Sequence, residues 1–355
     1  MDDYTALWNQ PLSSTIGVED VLAELARQAS RTLRAGPAAT ARLNNLVVVS
    51  ADAVVARRAD EALRGLEHAH PSRLVHLRLA SNGPDGVRAV PSVRCHVVGE
   101  GRSPLFFESV EIDVGGPAVR HLAEIVAPVL EADLPAIVWW VGQAPLDDPA
   151  FAGLLGLVDR LIVDSATFAS GGLRALTDFL PARLPISDLA WGRLRGWRDV
   201  VATLFDRPPL DRLVRQIDSI EVGNAGASVE SRLLIGWLAA RLGWQVARPP
   251  AAGNQGQGVL VRPGARIPVR LVGEDGSAGV RRIVLVAGGF QATVSADEDG
   301  QALISLTHAG RAGSVRHERL VVPSDGATVM REMVRTGRDW EWEAAMSVAA
   351  SLVHP

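Results

Sequence analysis

Two stretches in the first half of the chain each combine two apolar segments with a helical pattern between them. In the first, a continuous apolar run at 45–50 precedes helical spacing at 53–68 and alternating residues at 72–80. In the second, Ala136–Trp140 and Leu161–Val163 are separated by a segment long enough for one helix. Strand–helix–strand units of this kind predict a parallel sheet that helices cover on both faces.

Additional elements complete the N-terminal half of the chain. Alternating residues at 87–98 and 108–114 predict an antiparallel strand pair. One helix is predicted at 17–33, and a second is expected to begin at Pro117, because proline is favoured in the first turn of a helix. We therefore expect residues 1–180 to form an α/β domain with a mixed, mostly parallel, Rossmann-like sheet flanked by helices.

The pattern of apolar residues changes after residue 180. A long helix is predicted at 186–206, with Ser187 as its N-cap, and a strongly amphipathic helix is predicted at 229–242. Short alternating segments divided by Gly, Pro and Asp fill 258–322 and predict an antiparallel meander. Two helices follow it, so residues 181–355 are expected to form an α+β domain with an antiparallel sheet.

The composition is that of a globular protein with material for two cores. The 355 residues are 47% hydrophobic and 21% charged. The net charge of −4 and the mixing of acidic with basic residues argue against nucleic-acid binding. No segment approaches the roughly 18 apolar residues of a membrane helix. The acidic first residues do not resemble a signal peptide, so we expect a cytoplasmic protein.

Several kinds of chemistry are disfavoured by the residue inventory. Cys95 is the single cysteine, which excludes an internal disulfide and a cysteine zinc cluster, and it is expected to be buried. All 36 basic residues are arginine, which GC-rich codon use explains and which excludes lysine chemistry. The histidines lack metal-ligand spacing, and no glycine-rich loop follows the run at 45–50. We therefore predict no metal and no cofactor.

Five tryptophans are candidates for binding a partner protein. Trp139 and Trp140 end an apolar segment at the predicted carboxyl edge of the sheet, where ligands and partners commonly bind. Because neighbouring strand residues point to opposite faces, at least one of the two is expected in the core. Trp191 is a candidate for facing solvent or a partner, and Trp340 and Trp342 are candidates for exposed aromatics among acidic residues.

Polar residues at the same sheet edge are candidates for a ligand cleft. Asp164 and Ser165 follow the segment at 161–163 directly. The alternative is that Asp164 caps the next helix. Asp148, which precedes Pro149, is more typical of a helix N-cap than of a metal ligand or a general acid.

Three stretches together resemble the OpcA family of glucose-6-phosphate dehydrogenase assembly proteins. They are LPAIVWW with DRLIVDSATF, SDLAWGRLRGWRDVVATLFD, and SRLLIGWLAARLGW with the closing DWEWEAA. The resemblance implies an N-terminal α/β domain, a C-terminal domain built on antiparallel sheet, and a protein that is not an enzyme. Members bind glucose-6-phosphate dehydrogenase and promote its active oligomer. Redox control through cysteine pairs, which is attributed to some cyanobacterial relatives, cannot operate within a chain that has one cysteine. An intermolecular disulfide is the alternative to a buried, structural Cys95.

Two functions follow from these observations. The first is an assembly factor or allosteric activator that binds glucose-6-phosphate dehydrogenase of the oxidative pentose phosphate pathway, with no nucleic acid and no membrane as partner. The alternative is an enzyme or a phosphosugar-binding module that uses the cleft near Trp140, Asp164 and Ser165. Arginine could hold a phosphate there without any lysine.

Overall fold

The structure is a computed structural model, in which the chain divides into two compact units. The residues that it describes are 17–34, 43–64, 72–80, 85–96, 105–168, 172–179, 184–226, 229–251, 253, 255–276, 278–297 and 301–353. Unit 1 consists of 1–164, 183–187 and 325–337, and unit 2 of 165–182, 188–324 and 338–355. The domain boundary near residue 180 stays a prediction, and each unit also contains at least one short segment from the other side of this boundary.

The elements of the described residues are numbered in chain order. The α-helices are α1 (Val21–Arg34), α2 (Ala53–Leu63), α3 (Leu122–Val126), α4 (Pro149–Leu155), α5 (Gly172–Phe179), α6 (Leu189–Arg193), α7 (Arg195–Leu204), α8 (Val229–Leu242), α9 (Asp325–Met333) and α10 (Trp340–Ser351). The strands of the first sheet are β1 (Asn45–Ser50), β2 (Arg73–Ala80), β3 (Gly86–His96), β4 (Leu105–Gly115), β5 (Ala136–Val141), β6 (Arg160–Val163) and β7 (Ile186–Asp188). Those of the second are β8 (Ile217–Ala225), β9 (Gln245–Arg248), β10 (Gly256–Arg262), β11 (Ala265–Gly273), β12 (Gly279–Ala287), β13 (Phe290–Ala296), β14 (Gln301–His308) and β15 (Arg311–Arg319).

Unit 1 is built on a seven-stranded sheet with the order β3-β4-β2-β1-β5-β6-β7. Strands β4, β2, β1, β5 and β6 run parallel, and β3 pairs antiparallel with β4, as the alternating segments predicted. Every residue of β1 and β5 is buried. Their continuous apolar runs follow from this, because a parallel strand in the middle of such a sheet is covered on both faces. The predicted mixed, mostly parallel sheet is confirmed.

Aspartate side chains define the starts of two helices in unit 1. Asp52 accepts hydrogen bonds from the backbone N–H groups of Val54 and Val55 and begins α2. Asp148 does the same for the first turn of α4, in which Pro149 is the first residue, as predicted. The helix predicted at 53–68 is α2, and the last predicted residues, 65–68, lie outside the described residues.

Two helix predictions are wrong in detail. The helix expected from Pro117 is a 3-10 helix at Gly116–His121, followed by the short α3 and by a 3-10 turn at Ala127–Val129. The single helix expected at 186–206 is β7 followed by α6 and α7. Its N-cap is Asp188 rather than Ser187, because 186–188 are extended and pair at the edge of the first sheet.

Unit 2 is built on an eight-stranded sheet with the order β15-β14-β13-β12-β8-β11-β10-β9. Strands β9–β11 and β12–β15 are antiparallel meanders, which confirms the predicted pattern. The sheet is mixed rather than purely antiparallel, since β8 pairs parallel with β11 and antiparallel with β12. That parallel pairing joins the two meanders into one sheet.

Helix α8 is the central helix of unit 2. It was expected to be amphipathic, but every residue from Glu230 to Ala239 is buried. The helix packs against β8 and β12 and also against α10. A helix covered on several sides is apolar all round, which explains why its pattern has no polar face.

Candidate functional site

The carboxyl edge of the first sheet is the natural position for a site in unit 1. The chain order reverses at β1, which lies between β2 and β5. In open sheets of parallel strands, ligands bind at such a reversal, beyond the carboxyl ends of the strands. The residues there belong to the ends of β1, β2, β4 and β6 and to the first turns of α2.

Asp164, at the end of β6, is buried and already paired. Its carboxylate accepts a hydrogen bond from Nη2 of Arg58 on α2. Arg58 also donates from Nη2 to Oδ2 of Asp325, at the start of α9, over 2.7 Å. Burial alone would lower the pKa of the Arg58 guanidinium, but the two carboxylates outweigh it and raise that pKa. Asp164 is therefore held by a permanent cation, with 2% of its surface exposed.

Ser165 takes part in a buried hydrogen-bond cluster within unit 2. Its hydroxyl donates to Oδ2 of Asp188 over 2.7 Å, and its backbone N–H donates to Oδ1 over 2.9 Å. The same carboxylate accepts from the N–H of Ala190 and from Nε1 of Trp342, at 3.0 and 3.1 Å. We call these four residues the Asp188 cluster. Ser165 and Trp342 are completely buried in it, so neither presents a group to solvent.

The other predicted tryptophans divide into a buried group and one exposed residue. Trp139 and Trp140 are both buried, and Trp140 packs edge-to-face on Phe151 at a centroid distance of 5.1 Å. Trp191 is also buried, and its Nε1 donates to Asp339 over 3.1 Å. The expectation that Trp191 and Trp342 face solvent is wrong, because both indoles donate to buried or half-buried carboxylates. Trp340 is 69% exposed.

A cleft of about 450 Å³ opens at the carboxyl ends of β2 and β4. We call it the β2–β4 cleft. Its lining includes Arg57, Asp60, Arg78, Arg88 and Asp113. Sequence reasoning missed these residues, although a signal exists: Arg78 and Asp113 both stand near the end of an alternating strand segment.

The start of α2, beside this cleft, is occupied by the protein's own carboxylate. Oδ1 of Asp52 lies 2.7 and 2.9 Å from the first free amide nitrogens of the helix. Dinucleotide-binding sheets use these amides for the pyrophosphate. A carboxylate at the same place repels a phosphate and satisfies the donors that it would need.

A serine, a histidine and an aspartate stand in line beneath α2. Nε2 of His76 lies 2.9 Å from Oγ of Ser50, and Nδ1 lies 3.4 Å from Oδ1 of Asp60. The order resembles a nucleophile–base–acid relay. However, Ser50 is only 1% exposed, so its oxygen has no open side for a substrate. The arrangement is therefore a structural hydrogen-bond network, in which the serine and the histidine are buried.

The pH dependence of stability should reveal the state of His76. Burial lowers the pKa of this ring below 6.5, although the carboxylate of Asp60 opposes the shift. The unfolded chain therefore binds a proton first as the pH falls, and the native state loses stability from about pH 6.5 downward. His76→Gln should flatten this loss in urea unfolding curves recorded at pH 5 to 8. His121→Gln, at an exposed position, is the control; an equal flattening by both variants would contradict the assignment.

A metal site and a membrane-spanning helix are both absent from the described part of the chain. No group of three or more His, Cys, Asp or Glu side chains among these residues could hold a metal ion. No helix among them is long and apolar enough to cross a membrane. Cys95 lies on β3, and the surroundings of its side chain are outside the described residues.

Unit 1 contains a mostly parallel sheet in which the strand order reverses, and unit 2 contains a mixed sheet. The two units define a two-domain protein whose first domain is Rossmann-like. The family model for the glucose-6-phosphate dehydrogenase subunit N-terminal domain matches residues 64–178. The model for the C-terminal domain of the same subunit matches 184–346. The two matches cover most of the chain, which therefore belongs to the OpcA family.

Curated relatives come from cyanobacteria. A "Putative OxPP cycle protein OpcA" of Nostoc punctiforme is 27% identical over 318 residues, which is 83% of this chain and 67% of that protein. A protein of the same description from Synechocystis is 27% identical over 179 residues, or 49% of this chain and 38% of that protein. The chain thus matches about two thirds of the first relative's length and less than half of the second's.

A solved structure with the same fold is a mutant of the 3-ketoreductase KijD10 from Actinomadura kijaniata, in complex with TDP-benzene and NADP. The TM-score is 0.51 and the identity 13%, and the match covers 88% of this chain and 96% of the reductase. At that identity the likeness shows the fold alone. The predicted Rossmann-like architecture is confirmed by it.

Proposed function

We propose that this chain is a non-enzymatic protein that binds glucose-6-phosphate dehydrogenase and favours the active assembly of that enzyme. Membership of a family whose models are named for a subunit of this dehydrogenase supports the choice of partner. The observation in the structure that carries the proposal is one face of the sheet in unit 2, whose described residues are half-exposed or exposed.

This face is distinguished by the alternation of burial along the strands. On one side, Val222, Ile283, Leu285 and Val294 are buried, and α8 packs there. The other side is half-exposed or exposed, and we call it the open face. One cross-strand row of the open face contains Arg270, Glu221, Val284, Thr293, Ser305 and Val315.

The area of the open face approaches that of one side of a stable protein interface. Eight strands about 4.8 Å apart span about 34 Å, and a shared strand length of about 20 Å gives about 700 Å². A standard interface buries roughly 800 Å² on each partner. The open face alone therefore approaches the area that a specific complex requires.

The chemistry of the open face combines apolar and ion-paired groups. Val284 and Leu303 are apolar, and Leu303 is exposed. Between the strands, Arg282 donates to Glu221 and to Glu274, both over 2.8 Å. An apolar area beside oriented charges is typical of a surface that recognises one partner rather than a lipid or a nucleic acid.

Trp340 is a second contact that we propose for the same partner. It is exposed at the start of α10, and the guanidinium of Arg338 lies 4.9 Å from the centre of its ring. Tryptophan and arginine are the residues that most often dominate binding energy in interfaces. Trp139, Trp140, Trp191 and Trp342 would support such a surface only indirectly, since they form the interior of their units.

The mechanism that we propose is a shift of population. Binding that prefers the competent assembly of the dehydrogenase stabilises it without any chemical step. A tenfold shift requires a difference in binding free energy of only about 1.4 kcal/mol. One or two well-placed side chains supply that amount.

Affinity measurements with substituted chains test this proposal. We expect Val284→Arg on the open face to weaken binding to the cognate dehydrogenase at least 30-fold, because it places an unpaired charge in the interface. Trp340→Ala should weaken it about tenfold or more. Val334→Arg, at an exposed valine of unit 1, is the matched control and should bind like the unchanged chain.

The outcomes of this experiment test separately whether the chain binds the dehydrogenase and whether the open face and Trp340 form the interface. If the unchanged chain does not bind the dehydrogenase, the proposed function is wrong. If it binds and both variants bind equally well, the function stands and the open face and Trp340 are not the interface.

The alternative function, an enzyme or a phosphosugar-binding module near Trp140, Asp164 and Ser165, finds less support. Asp164 is neutralised by Arg58, Ser165 is buried in the Asp188 cluster, and Trp140 is in the core. All three side chains are buried, so none of them is open to a substrate. A ligand at this edge of the sheet would have to use other residues.

A further inference from the structure

We propose that the β2–β4 cleft binds a phosphate monoester that carries several hydroxyl groups, such as a sugar phosphate or a nucleoside monophosphate. This inference goes beyond the binding of a dehydrogenase, because it assigns a small-molecule site to unit 1 alone. It uses none of the residues that the proposed function places in the interface.

The shape of the cleft suits a ligand of this size. Its volume of about 450 Å³ lies in the usual range of ligand pockets, about 300–1,000 Å³. Leu79, Ala80 and Val114 at the strand ends and Ala56 on α2 form an apolar lining. An apolar lining with a few convergent polar groups is the usual make-up of a small-molecule site.

The arginines of the cleft differ in what they already bind. Arg78 is fixed by acids, since Nε lies 2.9 Å from Asp113 and Nη2 lies 2.8 Å from Glu111. Arg57, on α2, and Arg88, on β3, are exposed, and within the described residues neither forms an ion pair. Because neither is engaged in an ion pair there, both guanidiniums are available to hold a phosphate bidentately. They belong to two different elements that line the cleft.

The carboxylates of the cleft are suited to hydroxyl groups. In the sheet register, Asp113 lies beside both Arg88 and Arg78, and the hydrogen bond from Nε of Arg78 orients it without removing it from the lining. Asp60 and Asp85 also line the cleft and are exposed. Carboxylates accept hydrogen bonds from sugar hydroxyls and repel a bare polyanion. The ligand should therefore carry one phosphate and several hydroxyls.

The position of Asp52 excludes the other obvious ligand class. A dinucleotide would place its pyrophosphate on the first amides of α2. Those amides already donate to Asp52. A monophosphate held by Arg57 and Arg88 does not need them.

Calorimetric titration of the full chain tests the site. The probes are glucose 6-phosphate, AMP, glucose, adenosine and inorganic phosphate. We expect at least one of the two phosphate esters to bind at least tenfold more tightly than its dephosphorylated form and than inorganic phosphate. Comparison of glucose 6-phosphate with AMP identifies the source of the phosphate as a sugar phosphate or a nucleotide.

Substitutions locate the binding. Arg57→Ala and Arg88→Ala should each weaken it at least tenfold, since a charge-assisted hydrogen bond is lost. Arg120→Ala, at another exposed arginine of unit 1, is the control and should change nothing. Circular dichroism and melting temperature confirm that the variants are folded. No binding of either ester at millimolar concentration, or equal binding by the Arg57 and Arg88 variants, would overturn the site.

Discussion

Asp188→Ala is expected to reduce the free energy of unfolding by about 4 kcal/mol or more, the largest effect of any single substitution that we consider. The buried carboxylate accepts four hydrogen bonds, from two groups of Ser165, from Ala190 and from Trp342. Alanine leaves four buried donors without an acceptor, and each such donor costs about 1–3 kcal/mol. The costs are not fully additive, because the neighbours relax, but the sum approaches the whole stability of a typical domain.

The measurement is chemical unfolding followed by circular dichroism, with two comparison variants. Asp188→Asn keeps the volume and one acceptor oxygen and should lose about half as much. Asp148→Ala also removes an N-cap, at an exposed position, and should cost only about 1 kcal/mol. A loss for Asp188→Ala no greater than that for Asp148→Ala would mean that the Asp188 cluster does not hold unit 2 together.

Gly236→Ala is expected to destabilise the chain by about 3 kcal/mol, although alanine is normally the better helix residue. Gly236 lies in α8, where α10 approaches closely. A Cβ atom there would stand 2.4 Å from the carbonyl oxygen of Ala345 and 3.0 Å from the nitrogen of Ala349. Both are backbone atoms, so the two helices would have to move apart. This cost exceeds the gain of about 1 kcal/mol from helix propensity.

Gly153→Ala in α4 is the matched control for this prediction. Its added Cβ would meet only the Cβ of Ala123, at 3.7 Å, which is an ordinary contact. We expect a gain of about 0.5–1 kcal/mol there, because the propensity acts without a clash. If both glycines respond alike in thermal unfolding, close packing of α8 and α10 is not what requires glycine.

Features that depend on neighbours in the sequence could be predicted. The continuous apolar run of β1 and the alternation of β3 and β4 are visible because burial on two faces or one face leaves a direct pattern. The N-cap at Asp148 could be predicted for the same reason, since Asp before Pro acts within one turn. Sequence patterns are sufficient to predict an element when the interactions that form it lie within a few residues of one another.

Features that depend on contacts between residues far apart in the sequence could not be predicted. Helix α9 lies near the end of the chain, yet it belongs to unit 1, where Asp325 binds Arg58. The residues at 186–188 look like the start of a helix, but strand pairing at the sheet edge overrides this tendency. No pattern of residues in the sequence predicts the contact of Asp325 with Arg58 or the strand pairing of 186–188.

The candidate site shows the same division. The carboxyl edge of the first sheet could be located from the strand pattern, but its chemistry could not. Asp164 and Ser165 lie at the expected edge, but Asp164 is hydrogen-bonded to Arg58 and Ser165 to Asp188. The β2–β4 cleft is lined by Arg57, Arg88 and Asp113. These residues come together only through the register between β3 and β4 and the packing of α2. Residue type alone likewise did not distinguish the exposed Trp340 from the buried Trp342.

Sedimentation of the cognate dehydrogenase with and without this chain, combined with an activity assay on the same samples, tests the central claim most directly. We expect the two proteins to sediment together, the dehydrogenase to shift toward its larger assembly, and its activity at low substrate concentration to rise. The chain alone should turn over no glucose 6-phosphate. Independent sedimentation with unchanged activity, or turnover by the purified chain itself, would contradict the account.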